Sequence, residues 1–216
     1  MKKLLSFFGD PNIGLYGKAC DKIALLGRFL KGSVKSFFDT PTEFVTIANT
    51  DFVGIFLAFN SNGVVVPKIA TDKEIEKLKK LFENNIALIK GKYTALGNLI
   101  LTNDKGCILS DLIPKEDMKK ISDVLGVECE YSSIAGSRIV GASAVVTNKG
   151  CLAHRDLKED EAEMLSSVLK VPVDIGTINF GSPFIASGII ANSKHAWIGE
   201  NTSGPELDRI IRTLDI

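Results

Sequence analysis

The stretch GNLILTNDKGCILS occupies residues 97–110, and GASAVVTNKGCLAH occupies residues 141–154. Both run from an anchor glycine through an apolar stretch to an Asn-containing turn. Both then reach a second glycine nine residues on, a cysteine and another apolar stretch. Gly54 and Gly63 hold the same two places in GIFLAFNSNG, and Ala186 and His195 hold them in ASGIIANSKH. Gly14 and Ile23 do so in GLYGKACDKI. The anchors at 14, 54, 97, 141 and 186 are 40, 43, 44 and 45 residues apart, which makes five copies. A period of this size indicates an array of small supersecondary units.

Each copy reads as the same unit. Asn, Asp and Gly tolerate positive φ, so NSNG, NDKG and NKG are expected to be hairpin tips. On this reading the second glycine is needed for its φ angle, and His195 stands in for it as a tolerant turn residue. A helix follows each hairpin. Apolar residues three and four apart make one buried stripe: Ile75, Leu78, Leu81 and Phe82; Met118, Ile121, Val124 and Leu125; Ala162, Leu165, Val168 and Leu169; Leu207, Ile210 and Leu214. Thr71 or Asp72, and Thr202 or Ser203, are expected N-caps, with Pro205 at a first helical position. In copy one the helix is expected early, around GSVKSFFD, with Val34, Phe37 and Phe38 on its stripe. A strand follows the helix at 43–48, 86–89, 127–131 and 171–175. The fifth copy ends without one. The N-terminal LLSFF (4–8) belongs to no copy and is the available replacement. The expectation is an α/β fold: one domain over 1–216, a closed five-bladed pseudo-fivefold propeller with hairpins inside and helices outside.

The chain is 45% hydrophobic and 24% charged, which excludes a disordered profile. Its formal net charge is zero, and a protein gripping nucleic acid chiefly through phosphates would carry a basic surplus. No apolar run is long enough for a bilayer. MKKLLSFFGDPN is too short for a secretory leader and reads as a strand and turn. Cys20, Cys107, Cys129 and Cys151 form no C-x-x-C pair, and His154 and His195 lie far apart. No metal or cofactor is expected, and the compartment reads as reduced and cytoplasmic.

The repeat explains most apparent motifs. Cys107 and Cys151 share their slot with Val64 and Ala196, so it is a small buried strand position. Cys151 and His154, three apart in a strand, point to opposite faces and cannot pair as nucleophile and base. GRFLKGS (27–33) has phosphate-loop spacing but lacks the lysine before Ser33.

TALGNLILTNDKG (94–106), AVVTNKGCLAH (144–154), GTINFGSPFIASGIIANSK (176–194), TSGPEL (202–207) and DPNIGLYGKACDKIALL (10–26) together resemble the archaeal and eukaryotic translation initiation factor 6 family. The resemblance covers essentially the whole chain. It implies a pentein-type propeller, and a monomeric, non-catalytic factor that binds the large ribosomal subunit and sterically blocks the small one, with a role in large-subunit biogenesis. It implies contact chiefly with ribosomal protein L14 near the sarcin–ricin loop, with little direct RNA contact. Carried over position by position, Asn98, Ser143 and Ile55 are the expected contact residues. Arg155, where many members have proline, and His195, commonly glycine in archaeal members, depart from the pattern. Two alternatives stand beside it: a guanidine-modifying enzyme of the same fold, and a ribosome-assembly protein that mainly touches RNA.

Overall fold

The computed structural model describes residues 1–216. Strand β1 (Lys2–Leu5) comes first. Blade one opens on a 3-10 turn, Ile13–Leu15, and holds β2 (Gly17–Ala19), β3 (Ala24–Gly27) and β4 (Thr42–Val45). Blade two holds α1 (Val53–Phe56), β5 (Ala58–Phe59), β6 (Val64–Pro67), α2 (Asp72–Leu81) and β7 (Ile86–Ile89). Blade three holds α3 (Leu96–Leu99), β8 (Ile100–Thr102), β9 (Cys107–Leu109), α4 (Lys115–Leu125) and β10 (Cys129–Tyr131). Blade four holds α5 (Val140–Ser143), β11 (Ala144–Val146), β12 (Cys151–His154), α6 (Glu159–Leu169) and β13 (Val173–Gly176). Blade five opens on the 3-10 turn Ile185–Gly188 and holds β14 (Ile189–Ala191), β15 (Ala196–Gly199) and α7 (Gly204–Leu214). No helix is long and apolar enough to cross a membrane.

In each blade the first two strands form an antiparallel hairpin, and a third strand joins the second in parallel. In blade five the third strand is β1, paired parallel to β15 with Lys2 opposite Ala196. The N-terminal strand thus completes the last sheet, as expected, although it spans 2–5 rather than 4–8. The one-turn helices close the circle: Ile13–Leu15 packs on α1, α1 on α3, α3 on α5, α5 on Ile185–Gly188, and that turn back on Ile13–Leu15.

Two rows of small residues allow the blades to meet. The anchor glycines sit in the one-turn helices, not at strand starts. A Cβ on Gly97 would stand 2.1 Å from the Gly54 carbonyl oxygen, and one on Gly54 would stand 1.8 Å from that of Gly14. The second glycine of each copy is also a packing residue. None of Gly63, Gly106 and Gly150 has positive φ. Instead, a Cβ on each would meet the carbonyl oxygen of Val124, Val168 or Thr213, in the helix of the next blade, at 2.4, 1.9 and 1.8 Å. This corrects the turn-conformation reading of both the glycines and His195.

The four helix stripes are buried as their spacing predicts, with Leu78, Ile121, Leu125, Leu165, Leu169, Ile210 and Leu214 fully enclosed. Thr71 and Ser203 head their helices in capping boxes. Copy one departs. Its expected helix around 32–39 does not form, and only a 3-10 helix, Arg28–Gly32, precedes it. The space is filled by aromatic rings: Phe37 is fully buried against Trp197, with ring centroids 4.9 Å apart, and Phe38 stacks on His195 at 4.7 Å. His195 fits because no helix backbone presses on its slot.

Candidate functional site

Strand direction sorts the ring into two ends. The first strand of each blade runs from the anchor to the hairpin tip, and the second and third return. The helix that follows the second strand therefore begins at the anchor end, and the turn leading to the next blade lies there too.

The residue after each anchor forms a circle: Leu15, Ile55, Asn98, Ala142 and Ser187. All five are half-buried and all line the central cavity. Asn98 and Ile55, expected from the resemblance to touch a partner, lie here on adjacent short helices. The Asn98 backbone N–H donates to the Ala95 carbonyl at 3.0 Å, while its carboxamide makes no hydrogen bond within the chain. Ser143 is different. It lies two after its anchor, is fully buried, and donates its hydroxyl to the Ile139 carbonyl at 3.1 Å. It has no surface to offer. Its place in the circle is held by Ala142.

The anchor end also carries aromatic rings that the sequence reading did not single out. Phe8 and Phe180 are 82% and 83% exposed. Both sit at positive φ in turns between blades, where a bulky residue is strained. Phe52, Tyr93 and Phe184, in other segments leading into blades, are exposed as well. Phe8 lies against Phe29 at 5.4 Å, and Phe52 stacks on Tyr16 at 5.5 Å. The signal was present as Phe-Gly in FFGD and NFGS at equivalent turns. Exposed large apolar groups in proximity mark an interaction surface more often than isolated ones do.

Glutamates brace these turns. Glu74 accepts from the N–H groups of Ala48 and Asn49, Glu161 from Ala135 and Gly136, and Glu206 from Phe180 and Gly181. Each also closes the N-terminus of its own helix. Burial raises the Glu206 carboxyl, but donors from Thr177, Ser203 and Gly181 outweigh it and bring it to about 2.

Much of the hairpin end is satisfied within the chain. Asn60 and Asn103 are buried; each accepts two N–H bonds from its own turn and donates to carbonyls of the next blade. The Lys105 and Lys149 ammonium groups reach the carbonyls of Lys170 and Asp215, at the C-terminal ends of α6 and α7. These lysines serve the helices and do not form a free basic face.

Cys151 opens β12 at the hairpin end and His154 closes it at the other. Cys151 is fully buried, and burial pushes its thiol up to about 12. It is not a poised nucleophile. Val64, Cys107, Cys151 and Ala196 are all fully buried, so their shared slot is a packing position. No group of three His, Cys, Asp or Glu side chains is arranged to hold a metal ion.

Five repeated α/β units packed around a common centre, with exposed aromatic rings on one end, define a repeat-ring protein of the propeller class. The sequence profile of the eIF-6 family matches residues 2–213, and the chain belongs to that family of translation factors. It is 43% identical to "Translation initiation factor 6" of Methanocaldococcus jannaschii, over 93% of this chain and 92% of the relative. It is 41% identical to the protein of that name from Staphylothermus marinus, over 97% and 96%. The Pyrococcus abyssi protein of that name is 38% identical over 98% and 97%.

Proposed function

We propose that this chain is a cytoplasmic, non-catalytic factor that binds the large ribosomal subunit with its anchor end and sterically prevents joining of the small subunit. The observation that carries the reading is the rim of exposed rings, Phe8, Phe52, Phe180 and Phe184, around the circle containing Ile55 and Asn98. Membership of a translation initiation factor family supports the ribosome as the partner. Ribosomal protein L14, beside the sarcin–ricin loop, is the contact that the family resemblance implies. A zero net charge and lysines engaged at the opposite end favour a protein contact over a phosphate-dominated one.

Sedimentation tests it. Large and small subunits are mixed with and without the protein, at magnesium levels that favour joining. The expected result is loss of the joined particle, with the protein moving with the large subunit. Phe180→Ala and Asn98→Arg are each expected to weaken binding about tenfold or more, as central interface residues do. Joined particles unchanged, with the protein left at the top of the gradient, would sink the reading. Steep loss of binding with salt would favour an RNA contact instead.

A further inference from the structure

The centre of the ring holds a cavity of about 390 Å3, walled by residues from all five blades. That volume falls in the range in which proteins enclose small molecules. Four residues after each anchor, the blades place Lys18, Ala58, Leu101, Val145 and Ile190. Four of these five equivalent positions are apolar, so the fold needs no charge in this slot. The repeat is its own control, and it singles out Lys18.

Lys18 lines the cavity. Its ammonium enters no ion pair and donates no hydrogen bond within the chain. Burial draws it down to about 8, and the one other group acting on its charge is the Cys107 thiol. That thiol is itself pushed well above its usual range by burial, so it is neutral and cannot balance the lysine. The two carboxylates in the cavity wall are occupied elsewhere. Asp104 accepts from the Ser61 N–H and hydroxyl and from the Asn148 amide, and Asp21 accepts from the Ser193 N–H and the Asn148 amide. These donors are neutral, so both carboxylates keep their charge, but neither forms an ion pair with Lys18, and an ammonium drawn partly out of water with no direct partner is costly to keep. Near neutral pH it remains mostly protonated, and it faces open space.

We propose that the central cavity binds a compact oxyanion, a phosphoryl or carboxylate group of a small metabolite, through an ion pair with Lys18. The unpaired carboxamide of Asn98, in the same wall, is a second donor. An anion beside Lys18 favours its charged form, so binding draws a proton at alkaline pH. Affinity therefore falls as the pH rises through about 8, where the free protein's lysine loses its charge. This assignment does not rest on ribosome binding.

Calorimetric titration of the full chain tests it, with sulfate standing for a phosphoryl ligand and malonate for a carboxylate one. Lys18→Met should fold, since the sister positions are apolar. The expected result is saturable binding to the native chain, at least about tenfold weaker in Lys18→Met. The native chain should also bind more weakly at about pH 9.5 than at about pH 7. Lys18→Arg should retain binding. Sulfate alone binding assigns the phosphoryl class, and malonate alone the carboxylate class. Should Lys18→Met misfold, the Lys18 ammonium is followed by NMR in the native chain, where its pKa must rise on adding the anion that binds. Neither anion binding saturably, equal affinity in Lys18→Met, or a lysine pKa indifferent to the anion would overturn the proposal.

Discussion

Glu206 shows how a single side chain serves both a helix and a blade junction. Its carboxylate accepts from the Ser203 N–H at 2.7 Å, the Gly181 N–H at 2.8 Å and the Thr177 hydroxyl at 2.7 Å. Burial opposes its ionisation, but these donors win and hold it at about 2, below the unfolded-chain value near 4.3. The unfolded chain therefore binds more protons than the folded one between those values. The stabilisation is complete above about pH 4.3 and is lost as the pH falls through about 2. Glu206→Gln is expected to cost about 1–2 kcal/mol at neutral pH, by weakening the cap and the turn clamp. Urea unfolding of both proteins at neutral and strongly acid pH checks this, since the gap should close in acid. A gap that persists at low pH would mean that the carboxylate charge is not its source. Lys18 shares the sign of this linkage, because its value is depressed too, but here it is the charged form that burial penalises. Its depressed value makes the native chain gain stability from about pH 8 upward, towards the ordinary lysine range, a gain that Lys18→Met should abolish.

At the scale of elements, the ring depends on two rows of backbone contact. A Cβ on Gly97 or Gly106 would collide with the carbonyl oxygen of Gly54 or Val168, atoms held by neighbouring blades. Gly97→Ala and Gly106→Ala are each expected to destabilise by about 3 kcal/mol, the upper end for overpacking. Ala186 occupies the fifth anchor position with its Cβ in place, so Ala186→Gly should cost about 1 kcal/mol or less, a backbone-entropy effect alone. Denaturant midpoints of the three variants separate these, and equal costs at all three positions would refute the packing account. The spacing of these glycines was plain in the sequence, yet their reason was not. Sequence distance locates a hairpin, whereas the helix that presses on its tip comes from the next blade, tens of residues away. The same blindness hid the staples made by Asn60 and Asn103, which read as turn residues and prove also to bind across blades. It hid Ser143 as well. A shift of one position from the circle of Ile55 and Asn98 turns a surface side chain into a buried one. Copy one's expected helix fails to form for a related reason, because Phe37 and Phe38 mimic an apolar stripe while packing as rings on Trp197 and His195.

For the whole molecule, what the repeat made legible was the count of blades and the need for a closing strand. A missing fifth strand and an unassigned N-terminal one are a matched pair whatever the exact boundaries. Closure has an energetic consequence. The β1 backbone bonds to β15 along Lys2–Leu5, the Met1 ammonium donates to the Lys194 carbonyl at 2.7 Å, and the Glu200 N–H donates to the Leu5 carbonyl at 3.0 Å. Removing residues 1–5 would leave β15 as an open edge, with Trp197 and Ile198 in its span. Blades that meet only their neighbours unfold in proportion to the interfaces they keep. Blade five of the truncated chain would keep its junctions but lose its third strand. Amide exchange is therefore expected to quicken first in β14, β15 and α7, while β8, β9 and α4, in blade three, stay near their original protection. An exposed edge also invites pairing between chains, so the truncated protein should self-associate more readily than the full chain. Uniform acceleration around the ring would show instead that the five blades open as one unit, with closure felt equally by all of them.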